Sequence, residues 1–257
     1  MEPNFNFMGK NYFTRILGAS ITIIIITMNT QAFTQNIPAV DKINTSAGIV
    51  EIHFIGHASL MFGVNDFVIY TDPVQSSGKF DALPKADLIL VTHDHYDHLD
   101  VELINTLKKE KTQMLCNKTA AAKVMWAKSM KPGDIQKINN ITIEAVPAYN
   151  IVNERAPGQP FHPKGEGIGF ILTIGDKRFY VAGDTENTPE MKALRNIDIA
   201  FLPMNLPYTM TPEMVADAAL AFKPKILYPY HYGDTDTGKI VKLLKDSGIE
   251  VRIRNLK

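Results

Sequence analysis

Cysteine is nearly absent: the 257 residues include one, Cys116. No disulfide can form within the chain, so the fold must rest on its core and on any cations it holds. Cys116 ends Gln113-Met114-Leu115-Cys116, a short apolar run that reads as a buried strand. It is therefore a small core residue rather than a nucleophile. Net charge is absent too. Lys plus Arg number 27 and Asp plus Glu number 27. That balance leaves no basic excess to displace counterions from a nucleic-acid backbone, and no nucleic-acid partner is expected. No Gly-, Ser- or Pro-rich linker divides the chain and no internal repeat emerges, so residues 48–257 are expected to form one domain. With 45% hydrophobic residues the chain can fill a full core.

The start of the chain has a different character. Lys10 and Arg15 precede an apolar run from Ile16 to Met28, followed by Thr30-Gln31-Ala32. A basic start, about a dozen apolar residues and a small-x-small site describe a secretory signal covering residues 1–32, with cleavage after Ala32. An uncleaved membrane anchor is the alternative, since no charge lies between Arg15 and Asp41. Asn29, Thr30, Gln31, Thr34, Gln35 and Asn36 speak against it by their polarity. No cysteine is near, which excludes a lipoprotein anchor. The expected destination is the periplasm or the exterior, with membrane contact only if the segment stays attached.

After Gly48 the pattern is strands and then helices, twice over. Ile49–Ile55, Ser59–Phe62 and Phe67–Thr71 read as an antiparallel meander. Asp87–Thr92 is a nearly continuous apolar strand. Val101–Lys109 reads as a helix capped by Asp100, and Thr119–Lys128 as a second, Ala-rich one. Strands follow at Ile141–Val146, Gly167–Ile174, Arg178–Val181 and Ile197–Leu202. Thr211-Pro212-Glu213 opens a helix. Ile226–Tyr228 is another buried strand, then a helix near Gly238–Asp246 and a strand at Glu250–Ile253. Residues 150–166 carry three prolines and two glycines without periodicity, the mark of a functional or mobile loop. Two packed sheets with helices outside satisfy this order.

The chemistry concentrates where the Asp87–Thr92 strand ends. His93-Asp94-His95-Tyr96-Asp97-His98 places three imidazoles and a carboxylate, Asp97, within six residues. Borderline divalent cations prefer such nitrogen and oxygen donors. On a turn leaving a strand, His93 and His95 can converge on one point while Asp97 and His98 face a neighbouring one, so two adjacent metal sites follow. Further ligands are expected at other strand ends. Asp184, in Gly183-Asp184-Thr185, could bridge two cations. His231, in Tyr228-Pro229-Tyr230-His231, ends another buried strand. By themselves these two would read as a turn residue and a core or surface histidine; the company of the histidine loop makes them candidate ligands.

These motifs, His93-x-His95-x-Asp97-His98, Gly183-Asp184 and the late His231, resemble the metallo-β-lactamase-fold hydrolase superfamily. The chain looks like its branch containing the ascorbate-phosphate lactonase-like and N-acyl-phosphatidylethanolamine phospholipase D-like proteins. Gly56-His57-Ala58-Ser59, Tyr70-Thr71-Asp72-Pro73, Pro147-Ala148-Tyr149-Asn150, His162-Pro163-Lys164-Gly165 and Tyr208-Thr209-Met210 support the placement. The resemblance spans roughly residues 49–235. It implies an α+β, four-layer αββα sandwich with the active site at one edge of the two sheets. It further implies a first metal on His93 and His95, a second on Asp97, His98 and His231, and Asp184 bridging them. Many members carry a first-site histidine where this chain has Tyr149-Asn150, and His162 is the substitute it offers. Asp72 resembles the residue that anchors the histidine loop. His57 reads as a group supporting the ligands or lining the rim of the site, with a surface turn as the alternative, and His53 as a core or sheet-face residue.

The expected chemistry is hydrolysis by a metal-activated hydroxide, with Asp97 and Asp184 as catalytic residues and two divalent ions as cofactors, zinc first and manganese or iron as alternatives. The partner is a small molecule with an ester, lactone, amide or phosphodiester bond, since one metal arrangement serves all four. A non-catalytic metal-binding or ligand-sensing module on the same fold is the competing reading. It predicts bound metal without turnover.

Overall fold

In the computed structural model, which describes Met1 and residues 40–257, alternating apolar and polar side chains build two seven-stranded sheets. The expected signal segment, residues 1–32, lies outside the described residues apart from Met1. The first sheet comprises β1 (Val40–Thr45), β2 (Gly48–Gly56), β3 (Ser59–Val64), β4 (Phe67–Thr71), β5 (Leu88–Val91), β6 (Gln113–Cys116) and β7 (Lys128–Ser129), in that order. β1 to β4 run antiparallel, and β4 to β7 run parallel. Helices α1 (Val101–Leu107) and α2 (Lys118–Lys123) join the parallel strands.

The second half repeats the plan. β8 (Ile135–Ile138) and β9 (Ile141–Ala148) are followed by a small hairpin, β10 (Glu154–Ala156) and β11 (Gln159–Pro160). Then come β12 (Gly167–Ile174), β13 (Lys177–Val181), α3 (Pro189–Lys192), β14 (Ile199–Pro203), α4 (Pro212–Phe222), β15 (Ile226–Tyr230), α5 (Thr237–Leu243) and β16 (Glu250–Val251). Again the first strands pair antiparallel, and β13 to β16 pair parallel.

Side-chain alternation explains why the layers stack as they do. β5 is apolar throughout because both faces are covered: Leu88 and Leu90 enter the core between the sheets, Ile89 and Val91 the one under α1 and α2. In β14, Ile199 and Phe201 point inward while Ala200 and Leu202 meet α4 and α5. The inter-sheet core is rich in aromatics, with Phe201 stacked on Tyr228 at 5.0 Å. Three cores between four layers give the αββα sandwich. Cys116 is buried in the outer core of the first sheet, and burial pushes its thiol up to about 12, as suits an inert core residue.

Among the differences from the sequence reading, three bear on the architecture. The Ala-rich helix stops at Lys123 rather than Lys128, because the chain must turn back for Ser129 to pair with Cys116 at the sheet edge. The loop 150–166 contains the β10–β11 hairpin. The sheet begins at Val40, ahead of the Gly48 start expected for the domain.

β1 is held by an ion cluster that local pattern does not reveal. Asp41 accepts hydrogen bonds from Arg254 (2.7 Å to each carboxyl oxygen), Arg252 (3.1 Å) and the Tyr228 hydroxyl. Its side chain is 11% exposed. Burial by itself would raise the carboxyl pKa, but the Tyr228 and Arg254 hydrogen bonds and the Arg254 charge pull it below 3.8. A depressed carboxyl stabilises the fold above its unfolded pKa, and that contribution is lost as pH falls through the folded value. Asp41→Asn should therefore cost about 1–2 kcal/mol at neutral pH. The stability gap between the two proteins in denaturant titrations should narrow as pH falls through the folded pKa of Asp41, which lies below 3.8; a gap that stays constant with pH would contradict this role.

Candidate metal centre

Parallel pairing brings strand ends to one edge, and the candidate residues stand there. β5 delivers Thr92 and His93, β13 delivers Gly183 and Asp184, and β15 delivers His231. Close approach of these ends requires glycine at 183. It has φ +67°, and a Cβ there would lie 2.9 Å from Thr92 Cβ and 3.0 Å from the Ile168 carbonyl oxygen. His57, Asp72 and His231 also adopt positive φ, of 51°, 43° and 46°, at the turns that bring them to this edge.

Six of the chain's seven histidines gather at this edge. His93, His95 and His162 form one group, with candidate ligand atoms all within 4.8 Å of one another. His57, Asp97, His98 and His231 form a second group by the same measure, and His93, His98 and Asp184 an overlapping third. Asp184 lies between the first two. Its Oδ2 is 3.3 Å from His162 Nε2 and 3.5 Å from His231 Nε2, and its Oδ1 is 3.3 Å from His98 Nε2. All seven sequence-predicted ligands thus converge. His57 joins them with its Nε2 3.2 Å from Asp97 Oδ2 and its ring 3.8 Å from that of His231, the place of a group supporting the candidate ligands rather than of a surface turn.

The donor set fits divalent cations. His98 Nε2, Asp184 Oδ1 and both ring nitrogens of His231 are buried without a hydrogen-bond partner, although these side chains are no more than 4% exposed. Buried polar atoms left this way are costly, and a coordinated ion would satisfy them. His93 Nε2 and His95 Nδ1 are 3.1 Å apart, close to the ~3.3 Å edge of a tetrahedron with ~2.05 Å metal–nitrogen bonds. Protonation preferences mostly agree. Burial and then the His98 charge push His93 well below its ordinary value, leaving it neutral as a ligand must be. Burial opposes ionisation of Asp184, but His231 and His98 hold it well below 3.8. Asp97 is lowered against burial by His231 and His57. Without a cation, Asp184 and Asp72 outweigh burial and push His98 well above 6.5.

Surrounding hydrogen bonds fix which ring nitrogen faces inward. Asp72 accepts the Thr92 N–H (2.8 Å), the Thr92 hydroxyl (2.7 Å) and His98 Nδ1–H (2.9 Å), anchoring the histidine loop as the resemblance implies. Thr92 Oγ1, its own proton committed to Asp72, accepts His93 Nδ1–H at 3.0 Å. His162 is oriented by Asn150, whose Oδ1 takes both its N–H (2.7 Å) and its Nδ1–H (2.8 Å). Asn150 is thus the partner of the substitute ligand, not a ligand itself.

Glu186 escaped the sequence reading. Fully buried, it accepts the Asn150 side-chain amide at 3.1 Å and the N–H groups of Ile151, Val152 and Asn153 at 2.7–2.8 Å. An acidic residue two places after Asp184, in a segment that leaves a buried strand, was the available signal. What it binds is 33–36 residues earlier and invisible to local pattern.

Comparisons with known proteins agree with this geometry. A family model described as a Beta-lactamase superfamily domain matches residues 51–231. A UPF0173 metal-dependent hydrolase of Thermus thermophilus is 29% identical over 192 residues, covering 72% of this chain and 84% of that protein. One from Koribacter versatilis is 31% identical, covering 63% and 73%. A crystal structure from Parabacteroides distasonis, described as a metal-dependent hydrolase, is 47% identical with TM-score 0.82, covering 86% of this chain and all of that one. Igni18, a metallo hydrolase from Ignicoccus hospitalis, is 22% identical with TM-score 0.67, covering 80% and 95%, and shares the fold.

Asn150→Ala should lower zinc affinity at the His93–His95–His162 group about 10- to 100-fold, the usual effect of losing a ligand's hydrogen-bond partner. Calorimetric titration of the metal-free protein should show the other binding step unchanged.

Proposed function

The chain belongs to the beta-lactamase superfamily and is a metal-dependent hydrolase, and from that premise we propose a two-cation site acting on a small molecule. His93, His95 and His162 would hold one cation. Asp97, His98 and His231 would hold the other, with His57 against Asp97, and Asp184 would stand between them. Zinc suits these nitrogen-rich donors best, manganese or iron less well. The observation that carries the reading is Asp184 itself: a buried carboxylate flanked by histidines of both groups, with ligand atoms that the protein leaves unpaired.

The bonds proposed for cleavage are those of an ester, lactone, amide or phosphodiester. When bound, the paired cations would lower the pKa of a water toward neutrality and polarise the scissile oxygen. The chain supplies the rest. Asp72, Thr92 and Asn150 hold three histidines in the tautomers that present their second nitrogen inward. Asp97, kept ionised, is suited to binding and to orienting the attacking water more than to taking its proton firmly. A cleft of about 430 Å³ opens above Asp97 and Asp184, with Asn205 and Tyr208 on its wall, a size that suits a small molecule. Lys10 to Ala32 support action outside the cytoplasm.

Chelation should abolish hydrolysis and zinc should restore it. His95→Ala and Asp184→Ala should remove measurable turnover with unchanged circular dichroism. Full activity in His95→Ala protein would overturn the site. A metal-loaded protein inert towards ester, lactone, amide and phosphodiester panels would instead indicate a binding module.

A further inference from the structure

Among the described residues, the cleft above Asp97 and Asp184 has one cationic side chain besides its histidines, Arg155 on the β10–β11 hairpin. Phe161, Tyr208 and Asn205 complete that wall. Arg155 is exposed, but its guanidinium has partners on the hairpin. One of its terminal nitrogens donates to the Phe161 carbonyl at 2.8 Å, and its guanidinium lies 5.8 Å from the Phe161 ring centroid. Phe161 in turn meets Tyr208 edge-on at 5.1 Å and 75°. At the base of the hairpin, Glu186 gathers the N–H groups of residues 151–153, and the Asn153 amide donates to the Thr209 carbonyl at 2.8 Å. Its neighbour Glu154 is turned to the Gly158 N–H at 2.9 Å, and no ion pair forms with Arg155 among the described residues.

A guanidinium carries five N–H donors in a fixed fork, and one contact to Phe161 leaves the others for a ligand. Held in place beforehand, it loses little freedom on binding an anion. The edge-on aromatic pair beside it offers an angled apolar surface.

We propose that this wall is a substrate-recognition subsite, in which Arg155 binds a carboxylate or phosphate oxygen while Phe161 and Tyr208 pack the adjoining apolar part of the molecule. The substrate is accordingly anionic. This rests on the hydrolase reading above, but Arg155 stands apart from the candidate ligands and can be changed without touching them. The negative charge could belong to a distant carboxylate or to the phosphodiester being cleaved.

Zinc-loaded wild type, Arg155→Gln and Arg155→Lys are compared on three chromogenic probes: p-nitrophenyl butyrate, which is neutral; the mono-p-nitrophenyl ester of glutaric acid, with a distant carboxylate; and bis(p-nitrophenyl) phosphate, charged at the scissile group. Arg155→Gln should lower kcat/KM about tenfold, through KM, on the anionic probe that reports the source of charge, the scale of one partly exposed charge-assisted contact. Turnover of the butyrate should stay within about twofold and Arg155→Lys should recover part of the loss. Equal effects on neutral and anionic probes, or none, overturn the subsite. Calorimetric binding of glutaric acid monoanilide and of phenyl phosphate separates the two readings if no probe turns over. Absent turnover counts against the hydrolase proposal, whereas about tenfold weaker binding of either anion by Arg155→Gln still supports the subsite. No binding by wild type, or equal binding by both proteins, overturns it.

Discussion

A carboxylate taken out of water must be given something in return, and Asp184 is where this molecule meets that condition. It sits at the end of β13, 4% exposed, with His98, His162 and His231 at 3.3–3.5 Å and one oxygen lacking a hydrogen-bond partner. The charge is tolerable only because cationic or coordinating groups surround it. Gly183 must be glycine for the strand end to pass Thr92 so closely, and its N–H is fixed by the Tyr230 hydroxyl at 2.8 Å. The two sheets meet at their edge in the register that brings β5, β13 and β15 to this one residue.

Around that point the protein uses two kinds of support. Near the histidine loop, Asp72 reaches across adjacent strands to Thr92 and His98, so a short, rigid connection suffices. On the opposite side the candidate ligand His162 comes from a long loop, and long loops are costly to order. Glu186 meets that need by collecting four N–H donors at the start of the loop, and Asn150 then carries the order on to His162. The same anchoring holds the hairpin with Arg155 and Phe161. The candidate ligand His162 and the proposed substrate wall are therefore built on one fastened segment.

Much of this was legible in order of locality. The histidine loop could be read from six adjacent residues, and the strand ends at Asp184 and His231 from apolar runs before them. Asp100 and Thr211 were legible as caps, and each accepts the expected N–H, from Leu103 and Met214. The β1 strand was missed because what holds it, Arg252 and Arg254, lies over 200 residues away. His57 was legible as a group near the ligands, but not which one it meets: its bond to Asp97 spans 40 positions.

By itself the sequence determined the donor types, their attachment to strand ends, the apolar alternation that makes two sheets face each other, and the absence of any disulfide. Those follow from side-chain chemistry and from periods of two and 3.6 residues, which act within a few positions. Tertiary structure alone decided that Asn150 hydrogen-bonds the His162 ring, and that Glu186 and Arg155 belong beside the site. These are contacts between segments distant along the chain. Their geometry is set by sheet register and backbone conformation, which no single stretch of residues encodes.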